Sequence, residues 1–248
     1  RLAQLFAMAK LSIADNLQGI LTDCQQRDER QGWLGDAYGI TPTVLMLFDA
    51  TAFYRKWLVD LAATQDADGV RWSSTAPPCP RFIRPPSRDR SRHRMEAELA
   101  GQRAEDPVYT AALTLLPWQV YQASGDRRVL ERAYPGIVRH LRQVVERDQW
   151  PLTVGGRHGD HAERVDCRKI HPPTDKGLVA SAVRADELQT ALRMAQALNL
   201  ADDASWLTER LREVRSAAHE RFYNSAQGTY GTQTANAMAL MTGICAAP

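Results

Sequence analysis

Apolar residues recur at intervals of three and four along most of this chain, and no pair of alternating segments joined by a tight turn occurs. Such spacing is typical of helices that bury one face. It predicts helices over 41–63, from about 109, from about 126 to 145, over 174–198 and 206–222, and from about 234. The chain is therefore predicted to be all-α.

Residues that favour helix starts support several of these elements. Thr41 followed by Pro42 is typical of an N-cap and a first helical residue. Asp126 predicts a second cap, and Thr174 or Asp175 predicts a third. Helices of this length joined in antiparallel pairs indicate a helical toroid or solenoid.

Other segments interrupt the helical spacing. Residues 71–105 are rich in proline and arginine and have little apolar surface, which predicts a long loop. The spacing also disappears between Trp150 and Pro173, and we expect an acidic turn at Asp202 and Asp203. Trp57, Trp118 and Trp206 fall on apolar helix faces and are predicted to lie in the core.

Composition narrows the class of protein. With 248 residues, of which 44% are hydrophobic and 24% charged, the chain has the make-up of one large globular domain. No apolar run approaches the roughly 18 residues that span a bilayer. The formal net charge is only +2, from 31 basic and 29 acidic side chains, which provides no field to attract polyanions. We therefore expect neither a nucleic-acid partner nor a membrane partner.

The four cysteines form no closely spaced pair, which predicts neither a disulfide framework nor a zinc module: Cys24, Cys79, Cys167 and Cys245. Residues 158–171 contain histidines and carboxylates, yet they lack the spacing of a metal-binding helix, so we expect a substrate-facing loop and no metal. A cytoplasmic location is the expectation, with secretion as the alternative if a signal precedes Arg1.

Residues 22–36 read TDCQQRDERQGWLGD and have neither helical nor strand spacing. The segment concentrates four carboxylates, two arginines and a tryptophan: Asp23, Asp28, Glu29, Asp36, Arg27, Arg30 and Trp33. Cleavage of a glycosidic bond requires a protonated carboxylic acid beside other charged groups, and an indole face supports a sugar ring. The alternative interpretation is a surface loop of exposed ion pairs in which Asp36 caps the next helix.

This segment resembles the signature TDCPQRDERxGWxGDA of the bacterial α-L-rhamnosidases, glycoside hydrolase family 78. Residues 22–37 match it at every fixed position except Gln25, which replaces the usual proline. The resemblance continues in DATAFYRKWLVDLAATQDADG from Asp49, LLPWQVY from Leu115, SGDRRVLERAYP from Ser124 and GTYGTQTANAMAL from Gly228. It covers nearly the whole chain except about 71–105.

The resemblance implies an (α/α)6 barrel of six helical hairpins that removes terminal α-L-rhamnosyl groups with inversion and needs no cofactor. By motif position, Glu29 is the general acid that protonates the leaving-group oxygen. Asp23, Arg27 and Asp36 hold sugar hydroxyls, and Trp33 packs on the ring. The expected partner is a glycoside or oligosaccharide that contains rhamnose.

Two walls of the implied pocket depart from the family pattern. Residues 109–111 read Tyr-Thr-Ala where the family usually has Trp-Gly-Asp, and residues 159–161 read Gly-Asp-His where it has Gly-Asp-Trp. The resemblance places Tyr109, Asp160 and His161 among the substrate-binding residues. We expect these changes to alter the specificity for rhamnose.

The inverting base of the resembling enzymes is a glutamate on a hairpin beyond the segment that matches GTYGTQTANAMAL. We therefore expect residues 1–248 to form a partial six-hairpin catalytic domain with about seven helices. The β-sandwich domains that usually precede it and the C-terminal hairpins are expected to be absent, and the chain alone is expected to show no turnover. The alternative is a degenerate, non-catalytic helical protein that binds carbohydrate.

Overall fold

The structure is a computed structural model that describes residues 1–26, 30–65, 75–76, 106–147, 150–153, 159–160 and 174–245. Regular structure in these ranges consists of helices: α1 (Leu2–Asp15), α2 (Leu34–Leu47), α3 (Thr51–Ala63), α4 (Pro107–Thr110), α5 (Ala112–Ser124), α6 (Arg127–Arg147), α7 (Lys176–Leu198), α8 (Ala201–Phe222) and α9 (Gln233–Met241). The predicted all-α class is confirmed. None of the helices in this part of the chain is long and apolar enough to cross a membrane.

The helices form two layers. In the inner layer, α2 contacts α4 and α5, these contact α7, and α7 contacts α9. The outer layer consists of α3, α6 and α8, which follow α2, α5 and α7 in the chain. Both α3 and α6 pack against α5, and both α6 and α8 pack against α7. Since each outer helix returns the chain, the inner helices run parallel. This succession of hairpins is the predicted six-hairpin toroid architecture, in partial form.

Each layer contact buries an apolar stripe. Beneath α2 and α5, the outer helix α3 contributes Tyr54, Trp57 and Leu61 to one cluster. The outer face of α6 is charged, whereas its opposite face is a buried apolar stripe that includes Ile137 and Leu141. This stripe packs against α7 and α8 in a second cluster. Trp118 and Trp206 pack partly buried against that second cluster, whereas Trp57 is fully buried.

The predicted single helix over 41–63 is wrong, because α2 begins at Leu34 and the chain breaks between Leu47 and Thr51. Phe48 is extended, with φ −136° and ψ 148°. Apolar positions such as Val44, Phe48 and Trp57 keep helical intervals across the break, so spacing alone hides it. The break lets α3 fold back as an outer helix.

The prediction that Thr41 caps a helix at Pro42 is also wrong, because both residues lie inside α2. Pro42 has no N–H to donate to the carbonyl of Tyr38, four residues earlier. The side-chain amide of Gln119, on α5, donates to that carbonyl at 3.1 Å. A neighbouring inner helix thus supplies the hydrogen bond that the proline removes.

Other predicted boundaries vary in outcome. The Oδ1 atom of Asp126 accepts from the N–H of Arg128 at 3.1 Å, and Asp175 caps α7, as predicted. The helix predicted from about 109 is divided at Ala111 into α4 and α5. The predicted acidic turn is wrong, because Asp202 and Asp203 lie in the first turn of α8. Negative charge at this end stabilises the helix through its dipole.

The described residues contain nine helices rather than about seven, one of them only four residues long. Part of the difference is α1, for which the spacing predicted nothing. Its large apolar residues are mostly exposed: Leu2, Leu5, Phe6, Met8 and Leu11. Of the predicted loop over 71–105, only Thr75 and Ala76 lie within the described residues.

A buried charged cluster joins three helices. The guanidinium of Arg184 donates to Glu187 one turn later on α7, and both side chains are fully buried. Thr114, on α5, donates to the other oxygen of Glu187 at 3.1 Å. His140, on α6, brings its Nε2 atom to 3.9 Å from the same oxygen. The cluster links α5, α6 and α7 to one another.

Arg184→Met is expected to lower the free energy of unfolding by about 3–5 kcal/mol, because it leaves the carboxylate of Glu187 buried beside fewer donors. Urea denaturation measures the change. The control is Arg127→Met, which removes an exposed pair with Glu131 and should cost no more than about 0.5 kcal/mol. Equal losses in the two variants would contradict this account.

Candidate functional site

The structure describes five of the residues predicted for the sugar site: Asp23, Trp33, Asp36, Tyr109 and Asp160. The predicted acid Glu29, together with Arg27 and His161, lies outside the described residues. The structure therefore describes the segments on either side of Glu29 and the helices around them.

The ends of the motif loop are tied together by reciprocal hydrogen bonds. The N–H of Asp23 donates to the carbonyl of Gln31 at 2.9 Å, and the N–H of Gln31 donates to Oδ1 of Asp23 at 2.7 Å. Cys24 is buried, and Arg30 has a left-handed φ of 51°. The carboxylate of Asp23 is thus held in place by the backbone of its own loop.

Asp23 and Asp36 line one cavity of about 600 Å³ between α1 and α2. Its wall also contains amide and hydroxyl groups that bond to each other. Asn16 donates to Gln25 at 2.7 Å, and Thr22 donates to Oδ1 of Asn16 at 2.8 Å. Carboxylates, amides and hydroxyls are the groups that bind the hydroxyls of a polyol. The wall of the cavity thus combines groups that can bind sugar hydroxyls with apolar surface.

Trp33 immediately precedes α2 and lies against Tyr109 of α4, with ring centroids 5.4 Å apart and planes tilted by 59°. Trp33 is half-buried, whereas Tyr109 exposes only 5% of its surface. A Cβ atom on Gly35 would lie 3.1 Å from the Tyr109 ring. The two aromatic rings and Gly35 thus join the start of α2 to α4, and Tyr109 has little ring surface left for a ligand.

The second altered wall lies at the start of α7. Gly159 has a left-handed φ of 56°, and a Cβ atom there would be 2.9 Å from Cγ of Lys176. Asp160 follows it directly. Thr174, two residues before α7, shares a hydrogen bond of 2.5 Å with Thr232 between their hydroxyls. Because Thr232 caps α9, this bond brings the starts of α7 and α9 together.

Three carboxylates surround Tyr38, which is on α2 and packs beside Ala111, Leu115 and Val183. Burial is the main cause that raises the pKa of Tyr38 to about 12. The negative charges of Asp186, Asp106 and Asp36 raise it further. The phenol is therefore neutral at physiological pH. Carboxylates from α2, α7 and the start of α4 thus lie near one side chain.

Sequence reasoning predicted Asp36 and missed Asp106 and Asp186. Asp106 caps α4 by accepting from the N–H of Val108, and it precedes a proline, which is the usual signal of a helix start. Asp186 interrupts the apolar stripe of α7 three residues after Val183. A carboxylate in an apolar stripe is the signal that could have identified it.

Burial raises the pKa of Asp186 above its ordinary value of 3.8, the charge of Arg193 opposes the shift, and that of Glu187 adds to it. The protonated form of this carboxyl is therefore favoured more in the folded chain than in water. A perturbed carboxyl among other carboxylates is typical of a functional site.

Within the described ranges, no group of three or more histidine, cysteine or acidic side chains could hold a metal ion. Most of the 158–171 segment lies outside these ranges. Cys24 is a buried thiol.

Comparison with known proteins matches the whole chain to one family. The family model described as the bacterial α-L-rhamnosidase 6 hairpin glycosidase domain matches residues 1–248. An α-L-rhamnosidase from Streptomyces avermitilis is 29% identical over 226 residues, which cover 91% of this chain and 19% of that protein. One from Alteromonas sp. is 26% identical over 259 aligned residues, which cover 97% of this chain and 25% of that protein. The chain spans a fifth to a quarter of these curated relatives.

Solved structures give the same result. The α-L-rhamnosidase from Dictyoglumus thermophilum matches with a TM-score of 0.76 and 25% identity, covering 99% of this chain and 26% of that one. The Streptomyces avermitilis α-L-rhamnosidase complexed with L-rhamnose matches with a TM-score of 0.72 and 27% identity, covering 96% of this chain and 21% of that one. The predicted family and fold are confirmed.

Gly35→Ala is expected to lower the free energy of unfolding by about 1–3 kcal/mol, because the buried Tyr109 ring has no room to move away from the new methyl group. Chemical denaturation measures the change. Gly39→Ala, one turn later in the same helix, meets nothing within 4 Å and should instead stabilise the chain by about 0.5–1 kcal/mol. Stabilisation by both substitutions would show that the ring contact is not tight.

Asp186→Asn is expected to raise the free energy of unfolding at pH 7 and to change it less at about pH 4. The sign follows from the raised pKa: the folded chain binds this proton more tightly, so ionisation above pH 3.8 costs stability. Urea denaturation at the two pH values tests this. Asp60→Asn, which removes the partner of Lys56 on α3, is the control and should change the free energy of unfolding by no more than about 1 kcal/mol at either pH. A destabilising effect of Asp186→Asn at pH 7 would contradict the account.

Proposed function

The chain belongs to the bacterial α-L-rhamnosidase six-hairpin glycosidase domain family, and from this membership we propose that it serves in a glycoside hydrolase that removes terminal α-L-rhamnosyl groups. The substrate class is a glycoside or oligosaccharide that contains rhamnose. The observation that carries the proposal is that Asp23 and Asp36, which belong to the family motif, line one cavity. The relatives named above are α-L-rhamnosidases, and one was solved with L-rhamnose.

In this proposal Glu29 is the general acid. It protonates the glycosidic oxygen as the bond to the sugar breaks, so the aglycone leaves as a neutral alcohol. Water attacks the anomeric carbon from the opposite face, which inverts the configuration. A second carboxylate, roughly 6.5–9.5 Å from the first in inverting enzymes, accepts the proton from this water.

The remaining motif residues bind the sugar. Asp23, Arg27 and Asp36 hold hydroxyl groups, and Trp33 packs against the apolar face of the ring. Two features of the site support these roles. The hydrogen bonds with Gln31 orient the carboxylate of Asp23 before any ligand arrives, and Trp33 is half-buried, so part of its indole remains accessible. Preorganisation of this kind lowers the entropic cost of binding.

The two altered walls are proposed to determine specificity. Tyr109 is buried behind Trp33, so we assign it to the support of that indole rather than to direct stacking on the sugar. Asp160 and His161 are proposed to contact the substrate from the side of α7, whose first residue Lys176 packs against Gly159. Exchange of an indole for other groups at these positions changes the fit of the sugar and of its aglycone.

Glu29→Gln tests the role of the acid in the enzyme at its full natural length. Hydrolysis of an aryl α-L-rhamnoside with a poor leaving group is expected to fall by at least about 100-fold, since a neutral amide has no acidic proton to donate. A substrate with a good leaving group needs less protonation and should retain more of its rate. Steady-state kinetics on the two substrates measures the difference.

The control is Glu131→Gln, which makes the same substitution at an exposed carboxylate of the outer helix α6 and should leave both rates unchanged. Equal rates for Glu29→Gln and the unaltered enzyme on both substrates would remove Glu29 from the mechanism. Binding of L-rhamnose by an enzyme that hydrolyses neither substrate would favour the alternative of a non-catalytic carbohydrate-binding protein.

A further inference from the structure

Residues 75–76 pair with the motif segment although more than forty positions separate them. The N–H of Ala76 donates to the carbonyl of Gly32 at 3.0 Å, and Thr75 forms an antiparallel bridge with Trp33. Thr75 and Ala76 are both buried. The residue that directly follows the tied loop is therefore fixed by a second backbone segment.

The indole of Trp57 also binds this second segment. Its Nε1 atom donates to the carbonyl of Ala76 at 2.9 Å. Trp57 belongs to the outer helix α3, is fully buried, and packs with Phe53 and Tyr54. Loss of the donor to a buried carbonyl is costly, so the bond strongly favours one position of Ala76.

Gly32 is fitted to this arrangement. A Cβ atom on Gly32 would lie 2.5 Å from the carbonyl oxygen of Ala76, the same oxygen that accepts from Trp57. A backbone oxygen has no flexible end that can move aside. The close approach of the two backbones therefore requires a glycine at position 32.

From these contacts we propose that Trp57 is a positioning residue for the sugar site. We call Trp57, Thr75, Ala76, Gly32 and Trp33 the clasp. The indole fixes Ala76, Ala76 fixes Gly32, and Gly32 lies between the stacking residue Trp33 and Gln31.

The clasp reaches Asp23 as well, because the N–H of Gln31 donates to the Asp23 carboxylate at 2.7 Å. A core side chain of the outer layer thus orients two groups that contact the sugar, without touching it. A misplacement of about 1 Å at such groups can cost about 100-fold in rate. The identity of the ligand rests on the proposed function, whereas the clasp itself rests on the hydrogen bonds of Trp57, Ala76 and Gln31.

Trp57→Phe tests the clasp, since phenylalanine keeps an aromatic ring and removes the N–H donor. Hydrogen exchange followed by mass spectrometry reports on the peptide that covers residues 22–33, and isothermal titration measures the affinity for L-rhamnose. We expect exchange of that peptide to become at least tenfold faster and L-rhamnose binding at least fivefold weaker. Exchange in α7 and α8 should stay within twofold of the unaltered chain, which a general loss of core packing would not allow.

Two further variants complete the test. Gly32→Ala leaves Trp57 intact and forces Gly32 and Ala76 apart, so it should reproduce both effects. It also tests the positioning role if Trp57→Phe does not fold. Trp206→Phe makes the same substitution at a partly buried indole of α8 and should leave both measurements within twofold.

Unchanged exchange of residues 22–33 in folded Trp57→Phe, or equal acceleration along the whole chain, would overturn the positioning role. Faster exchange with unaltered L-rhamnose affinity would also overturn it, because the loop would then move without consequence for the sugar. If the unaltered chain binds no L-rhamnose while the clasp variants still loosen residues 22–33, the proposed function fails and the clasp remains as a structural element.

Discussion

The packing of the inner helices α5 and α7 against the outer helices α3, α6 and α8 is the constraint on which the described structure depends. Since every outer helix returns the chain to the same side, all inner helices begin at one end of the molecule. The starts of α2, α4, α7 and α9 are marked there by Trp33, Asp106, Asp175 and Thr232. Residues distant in sequence meet at this end, and the burial of apolar stripes, the main driving force for folding, holds them together.

The candidate site uses rigid backbone more than side-chain packing. Reciprocal bonds between Asp23 and Gln31, the approach of Gly32 to Ala76, and the contact of Gly35 with Tyr109 all fix the chain within a short distance of Trp33. Sugar hydroxyls are small and similar groups, so discrimination between them depends on donors and acceptors that are already in place. A site on a loop can meet that requirement only when the loop is braced.

Electrostatics works against stability in the same region. Burial raises the pKa of Asp186, so ionisation of this carboxyl opposes folding. The buried cluster of Arg184, Glu187 and Thr114 differs, because its charges face one another and join the layers.

The sequence alone determined the class of fold, most of the helices and the family motif, because apolar intervals and motif residues are local properties. It predicted Asp23, Trp33 and Asp36 together, and two of these line one cavity. The break at Phe48, the donor that replaces the missing N–H of Pro42, and the link from Trp57 through Ala76 were decided only by the tertiary structure. Each of them depends on which distant segment packs alongside, and an apolar pattern records that a residue is buried without recording its partner.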